Sequence, residues 1–80
     1  GEINRRVTDA QAVLERIEQH YAPDAVSVDH TDGLSVEFEN WRFNVRPSNT
    51  EPLLRLNVEC REDEALLKAR TAEVLAMIEA

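Results

Sequence analysis

The sequence predicts an α+β fold: a two-layer sandwich in which two helices cover one face of an antiparallel sheet, in the order β-α-β-β-β-β-α. Three observations predict it. Apolar residues recur at helical spacing near both ends of the chain, at Ala10, Leu14, Ile17 and Tyr21, and again at Leu67, Val74 and Ile78 with Thr71 in the same row. Residues 26–58 instead alternate apolar and polar with a period of two. One register for the successive hairpins in that region puts all its apolar residues on a single face. The 80 residues suffice for one small core, and no repeat, linker or low-complexity stretch divides them, so residues 1–80 are expected to form a single domain.

Each element has its own signal. Residues 2–7 set Ile3, Arg5 and Val7 against Glu2, Asn4 and Arg6, the pattern of a short strand. Thr8 with Gln11 fits a capping box for the first helix, Asp9 adds a negative charge in its first turn, and Pro23 ends it. Val26, Val28 and His30 are expected opposite Phe38, Val36 and Leu34 across a turn of Thr31, Asp32 and Gly33, with Gly33 left-handed. Those three then face Trp41, Phe43 and Val45 across a tight turn at Glu39 and Asn40, which also sets Glu37 opposite Arg42. Trp41, Phe43 and Val45 should pair in turn with Val58, Leu56 and Leu54 after an irregular loop over 46–53. A second helix runs from about residue 62 to 80, with Glu62, Asp63 and Glu64 at its start. The prediction is a four-stranded meander plus a short N-terminal strand.

Composition narrows the function. A net charge of −7 opposes general binding to nucleic acid or anionic lipid, which requires Lys and Arg to neutralise phosphates. No apolar run approaches the roughly 18 residues that cross a bilayer, and no basic and apolar leader is seen, so a cytoplasmic setting is expected. Gly1 stands where an initiator methionine would, which predicts a piece of a longer chain. Cys60 is alone and His20 and His30 are not spaced with other ligands, so neither a disulfide nor a metal site is expected, and Cys60 reads as a small core residue. Trp41 falls on the core face rather than on a stacking surface.

The charge is unevenly spread. Over residues 41–58 three arginines (Arg42, Arg46 and Arg55) stand against one acid, Glu51, a local balance of +2 that leaves −9 elsewhere. Within this stretch Arg46, Pro47, Ser48, Asn49, Thr50, Glu51 and Pro52 join two apolar strands. Arg46 can bind two oxygens of an oxyanion with one planar fork, and the Ser48 and Thr50 hydroxyls, the Asn49 amide and nearby backbone N–H groups can meet a third. The prolines restrict φ on either side. Composition alone serves a stiff turn equally well, with Arg46 paired to Glu51.

The run resembles the phosphate-binding loop of the α-D-phosphohexomutase family, whose pattern is Arg, any residue, Ser, Asn or Gly, Thr, Glu, Pro. All its fixed positions are present, and Pro47 falls where the pattern varies. Gly1-Glu2-Ile3-Asn4, Asp32-Gly33-Leu34 and Leu54-Arg55-Leu56 are similar to the flanking segments of bacterial members, so the likeness covers nearly the whole chain. It implies the C-terminal, fourth domain of a phosphomannomutase/phosphoglucomutase, with a TBP-like fold. The parent would be an isomerase of carbohydrate metabolism that interconverts hexose 1-phosphates and 6-phosphates.

On that likeness Arg46, Ser48, Asn49 and Thr50 hold the phosphate that is not reacting. Glu51 and Arg55 support the loop, and rotation of the domain helps to close the cleft. The phosphoserine and a Mg²⁺ held by aspartates belong to earlier domains, and the parent uses a hexose 1,6-bisphosphate. No catalytic residue, metal or cofactor is therefore expected in these 80 residues, which should be inactive alone and have as partners a phosphosugar and the rest of the same polypeptide. Two other readings are an RNA-binding sheet and a regulatory or assembly domain acting through a sheet edge. Against the first, the outward residues Ser35, Glu37, Asn44 and Asn57 lack the aromatics that stack bases.

Overall fold

The computed structural model describes residues 2–80. Its elements are β1 (Ile3–Arg6), α1 (Ala10–Tyr21), β2 (Ser27–Asp29), β3 (Leu34–Glu37), β4 (Trp41–Pro47), β5 (Leu53–Cys60) and α2 (Glu64–Glu79), with a single 3-10 turn, Ala22–Asp24, after α1. All strands pair antiparallel in the order β1-β5-β4-β3-β2. Strands β2 to β5 form the predicted meander. The N-terminal strand adds to the free side of β5, so the five-stranded sheet is not strictly a meander, and β4 and β5 become its buried centre.

Both helices lie on one face. Val13, Ile17 and Tyr21 of α1 and Val74 and Ile78 of α2 are buried against Leu34, Val36, Trp41, Phe43, Val45, Leu54 and Leu56 of the sheet. Trp41 belongs to this core, where Phe38 stacks on it with ring centroids 4.3 Å apart and Tyr21 meets it edge-on. Arg70 of α2 covers the indole with its guanidinium 4.9 Å from the ring centroid. Cys60 is half-buried at the core margin, and burial raises its thiol pKa, with Asp63 adding to the effect. No helix among the described residues is long and apolar enough to cross a membrane.

Several expectations need correction. The first helix is capped by Asp9, not Thr8: Asp9 Oδ1 accepts a hydrogen bond from Ala12 N at 3.1 Å. A carboxylate at the cap satisfies an orphan N–H and also meets the positive end of the helix dipole, so it outcompetes the hydroxyl one residue earlier. Asp63 caps α2 in the same way through Leu66 N, which starts that helix at Glu64 rather than near residue 62. At the far edge Val26 is 71% exposed and His30 is exposed beside Glu18, because β2 is too short to carry either onto the core face.

Register holds in the hairpins and slips after the loop. Val28 faces Val36, Val36 faces Phe43 and Leu34 faces Val45, as expected. Glu37 does stand opposite Arg42, yet Arg42 donates to Glu59 on its other side, at 2.9 and 3.1 Å. Between β4 and β5 the pairs are Trp41 with Cys60, Phe43 with Val58 and Val45 with Leu56, two residues beyond the predicted partners. A two-residue slip preserves which face each side chain occupies, so hydrophobic pattern alone does not detect it. Its consequence is that β4 extends through Pro47 and the loop shrinks to residues 48–52.

Candidate functional site

Arg46 is therefore a strand residue rather than a loop residue. It sits one position before the end of β4, facing Arg55 of β5 across the ladder, and its core-side neighbour Val45 is buried, so both arginines point to the face away from the helices. Asn44 and Asn57 form the next row on that face, and Ser35 completes it from β3. Like charges directly opposite each other are unfavourable in a sheet. The Arg46 and Arg55 pair persists because a carboxylate lies between them. Glu2, at the start of the chain, accepts from Arg46 Nη2 through Oε2 at 3.1 Å and from Arg55 Nη1 through Oε1 at 3.3 Å.

A second carboxylate reaches Arg46 from the opposite side. Asp32 Oδ2 lies 3.5 Å from Arg46 Nη1. Its backbone is held there by geometry: Asn44 Nδ2 donates to Asp32 O at 2.8 Å, and Gly33, at φ +71°, presses on the end of β4. A Cβ at position 33 would stand 2.5 Å from Val45 O and 2.7 Å from Arg46 Cα. Asp29, which takes Thr31 N on its side chain, shapes the same turn, and the side-chain and backbone hydrogen bonds from Thr31 hold its carboxyl below the usual range.

These contacts set the electrostatics. The Arg46 hydrogen bond, with Arg55 nearby, holds the Glu2 carboxyl below the usual carboxylate range, against a smaller opposing effect of burial. Reciprocally, Glu2 and then Asp32 strengthen the proton affinity of Arg46. Arg46 Nε is shielded from solvent and has no acceptor among the described residues, so the fork retains an unused donor.

The loop itself is a tied turn. Ser48 N donates to Leu53 O at 3.0 Å, and Leu53 N donates to Glu51 O at 2.8 Å around Pro52, whose locked φ suits so tight a turn. Val7 N donates to Pro52 O at 2.9 Å, which fastens the end of β1 to the loop. Ser48 Oγ accepts from Thr50 N and Glu51 N, both at 3.3 Å. With its lone pairs engaged, its own hydroxyl hydrogen remains to be donated outward. Asn49 and Thr50 are exposed at the tip.

Apart from Asn49 at the tip, the predicted residues thus fall into two groups. Ser48, Thr50 and Glu51 are gathered by one hydroxyl, while Arg46 and Arg55 are gathered by Glu2. Arg46 does not pair with Glu51, whose part in the turn is played by its backbone. Sequence reasoning missed Glu2 and Asp32 as partners of Arg46. Alternation put Glu2 on the same face as Asn4, but nothing in it says that β1 docks beside β5, the step that brings Glu2 to both arginines. Among the described residues no three His, Cys, Asp or Glu side chains converge as a metal site would require. These residues do not fit a Mg²⁺.

The domain is thus a two-layer α+β sandwich with a guanidinium and a hydroxyl-pinned turn at one end of its sheet. The chain belongs to the family described as phosphoglucomutase/phosphomannomutase, C-terminal domain, which it matches over residues 2–77. It is 54% identical over 78 residues to a phosphomannomutase of Salmonella montevideo, covering 98% of this chain and 17% of that protein. A protein of Xanthomonas campestris pv. campestris named phosphohexose mutases is 57% identical over 74 residues, or 92% of this chain and 16% of that one. A phosphomannomutase of Methanocaldococcus jannaschii is 44% identical over 78 residues, again 98% and 17%. The chain thus spans about one sixth of the length of these relatives.

Proposed function

We propose that this chain is the substrate phosphate-binding domain of a cytoplasmic phosphomannomutase/phosphoglucomutase that interconverts hexose 1-phosphate and hexose 6-phosphate. Arg46, Ser48, Asn49 and Thr50 grip the phosphate that is not reacting, and Arg55 and Glu51 support them. The observation that carries this reading is the tied turn immediately beyond Arg46. It leaves the Ser48 hydroxyl, the Asn49 amide and the Thr50 hydroxyl at the tip next to a fixed cation. The names of the relatives supply the substrate class.

Such a site positions rather than transforms. On this reading it is a donor array, with the chemistry, Mg²⁺ and the hexose 1,6-bisphosphate belonging to the remaining domains of the parent, and the chain alone is inactive. A grip that reads the phosphate and not the carbon bearing it serves both orientations of a sugar that turns between half-reactions. Closure of this domain over the substrate would exclude water as binding occurs. Charge-assisted hydrogen bonds contribute roughly 1.5 to 3 kcal/mol each, and association costs at least about 4 kcal/mol, so the domain alone should bind at around millimolar.

The alternative is a regulatory or assembly domain that pairs through a sheet edge. The edges here are a four-residue and a three-residue strand, which offer little ladder to a partner. An amide NMR titration with mannose 1-phosphate, mannose 6-phosphate and mannose separates the two. The grip predicts shifts at Ser48, Asn49 and Thr50 with both phosphosugars, none with mannose, and loss of the response in Arg46→Ala. Concentration-dependent dimerisation with a silent loop would support the alternative instead.

A further inference from the structure

We infer that Asp32 is a placeholder for the phosphate: its carboxylate positions Arg46 in the free domain and yields that place when the phosphate arrives, while Glu2 stays. This rests on the proposed phosphate role of Arg46. Two carboxylates hold that guanidinium, and they differ in every respect that governs displacement. Glu2 is 32% exposed and uses both oxygens, one on Arg46 and one on Arg55, so removing it would leave two arginines facing each other with no carboxylate between them. Asp32 is 70% exposed and makes a single contact of 3.5 Å, at the limit of a hydrogen bond.

The backbone of Asp32 is as fixed as its side chain is loose. Asn44 Nδ2 holds its carbonyl, and Gly33 is pressed against Val45 and Arg46 with no room for a side chain. The backbone therefore keeps the carboxylate within reach of Arg46, while the carboxylate itself loses little by turning into water. A phosphate dianion brings more charge and more acceptor oxygens to the same Nη1 and replaces it. Between turnovers the contact keeps the arginine from folding onto other surface acids, and during binding it sets an affinity low enough for release.

The test compares affinities for mannose 6-phosphate, by NMR titration, of wild type, Asp32→Asn and Asp24→Asn. The last makes the same charge change at an exposed position on the 3-10 turn. Removing the competitor should tighten binding about two- to five-fold, the range of an exposed ion pair. Asp24→Asn should tighten it by less. On saturation of the wild type the Asp32 carboxyl carbon resonance should move and that of Glu2 should not. Equal tightening in both variants would assign the effect to net charge and overturn the inference. So would an Asp32→Asn protein that binds no tighter than wild type while its amide spectrum shows an intact fold. In either case a wild type that still binds through its loop leaves the proposed function standing, whereas absence of binding in all three proteins sinks both.

Discussion

Glu2 and Arg46 are 44 positions apart in sequence and joined by a 3.1 Å hydrogen bond, with the other oxygen of Glu2 on Arg55. This contact makes the edge strand β1 part of the candidate site rather than a mere addition to the sheet.

Its first consequence concerns acid. A carboxyl whose pKa is lowered in the folded state stabilises the fold above the ordinary carboxylate range, and that contribution disappears as pH falls through the lowered value. Glu2→Gln should therefore be less stable than wild type in urea at about pH 7, with the gap narrowing by about pH 3. A gap of the same size at both values would remove the ion pair from the account.

Gly33 carries a steric demand. Its positive φ costs an L-residue about 1 kcal/mol, and the added methyl would collide with the β4 backbone at 2.5 Å. Gly33→Ala should lose about 2 kcal/mol or more in urea denaturation and shift the amides of Val45 and Arg46. A variant as stable as wild type would mean that the turn does not press on β4.

Tyr21 is the sole tyrosine, buried in the core with its hydroxyl donating to Glu73 at 2.7 Å. Burial first, and then the Glu73 hydrogen bond and charge, raise its pKa well above the usual tyrosine value. Its contribution is fully present below the unfolded tyrosine pKa near 10 and is lost as pH rises through the folded one. In an alkaline titration tyrosinate absorbance should thus appear together with unfolding, and Tyr21→Phe should be less stable by about 1 kcal/mol at neutral pH. Ionisation of a still-folded protein near the ordinary value would contradict this.

The two candidate caps of α1 can be told apart by deletion. Asp9→Ala should lose about 1 kcal/mol, whereas Thr8→Ala should change stability by less than about 0.5 kcal/mol. The reverse order in thermal melts would restore the threonine cap.

The α+β class, the helix faces and the β2 to β4 hairpin registers were legible because each depends on short-range periodicity. Leu34, Val36, Phe43 and Val45 identify their own face wherever the sheet is placed. The slip between β4 and β5 was not legible, since Val45 beside Leu54 and Val45 beside Leu56 bury the same kinds of residue. Only loop closure distinguishes them, through the Ser48 bond to Leu53 and the Pro52 bond from Val7.

By itself, then, the sequence determined the layers, the faces and the run of residues 46–52 that carries the donors, because periodicity and local chemistry are written within a few positions of each other. Tertiary structure alone decided that β1 lies beside β5, that Arg46 stands on a strand, and that Glu2 and Asp32 are its partners. Those outcomes depend on which edge a strand joins and on where a glycine turn lands. Both are settled by packing and hydrogen bonding between segments tens of residues apart, for which no local pattern carries the information.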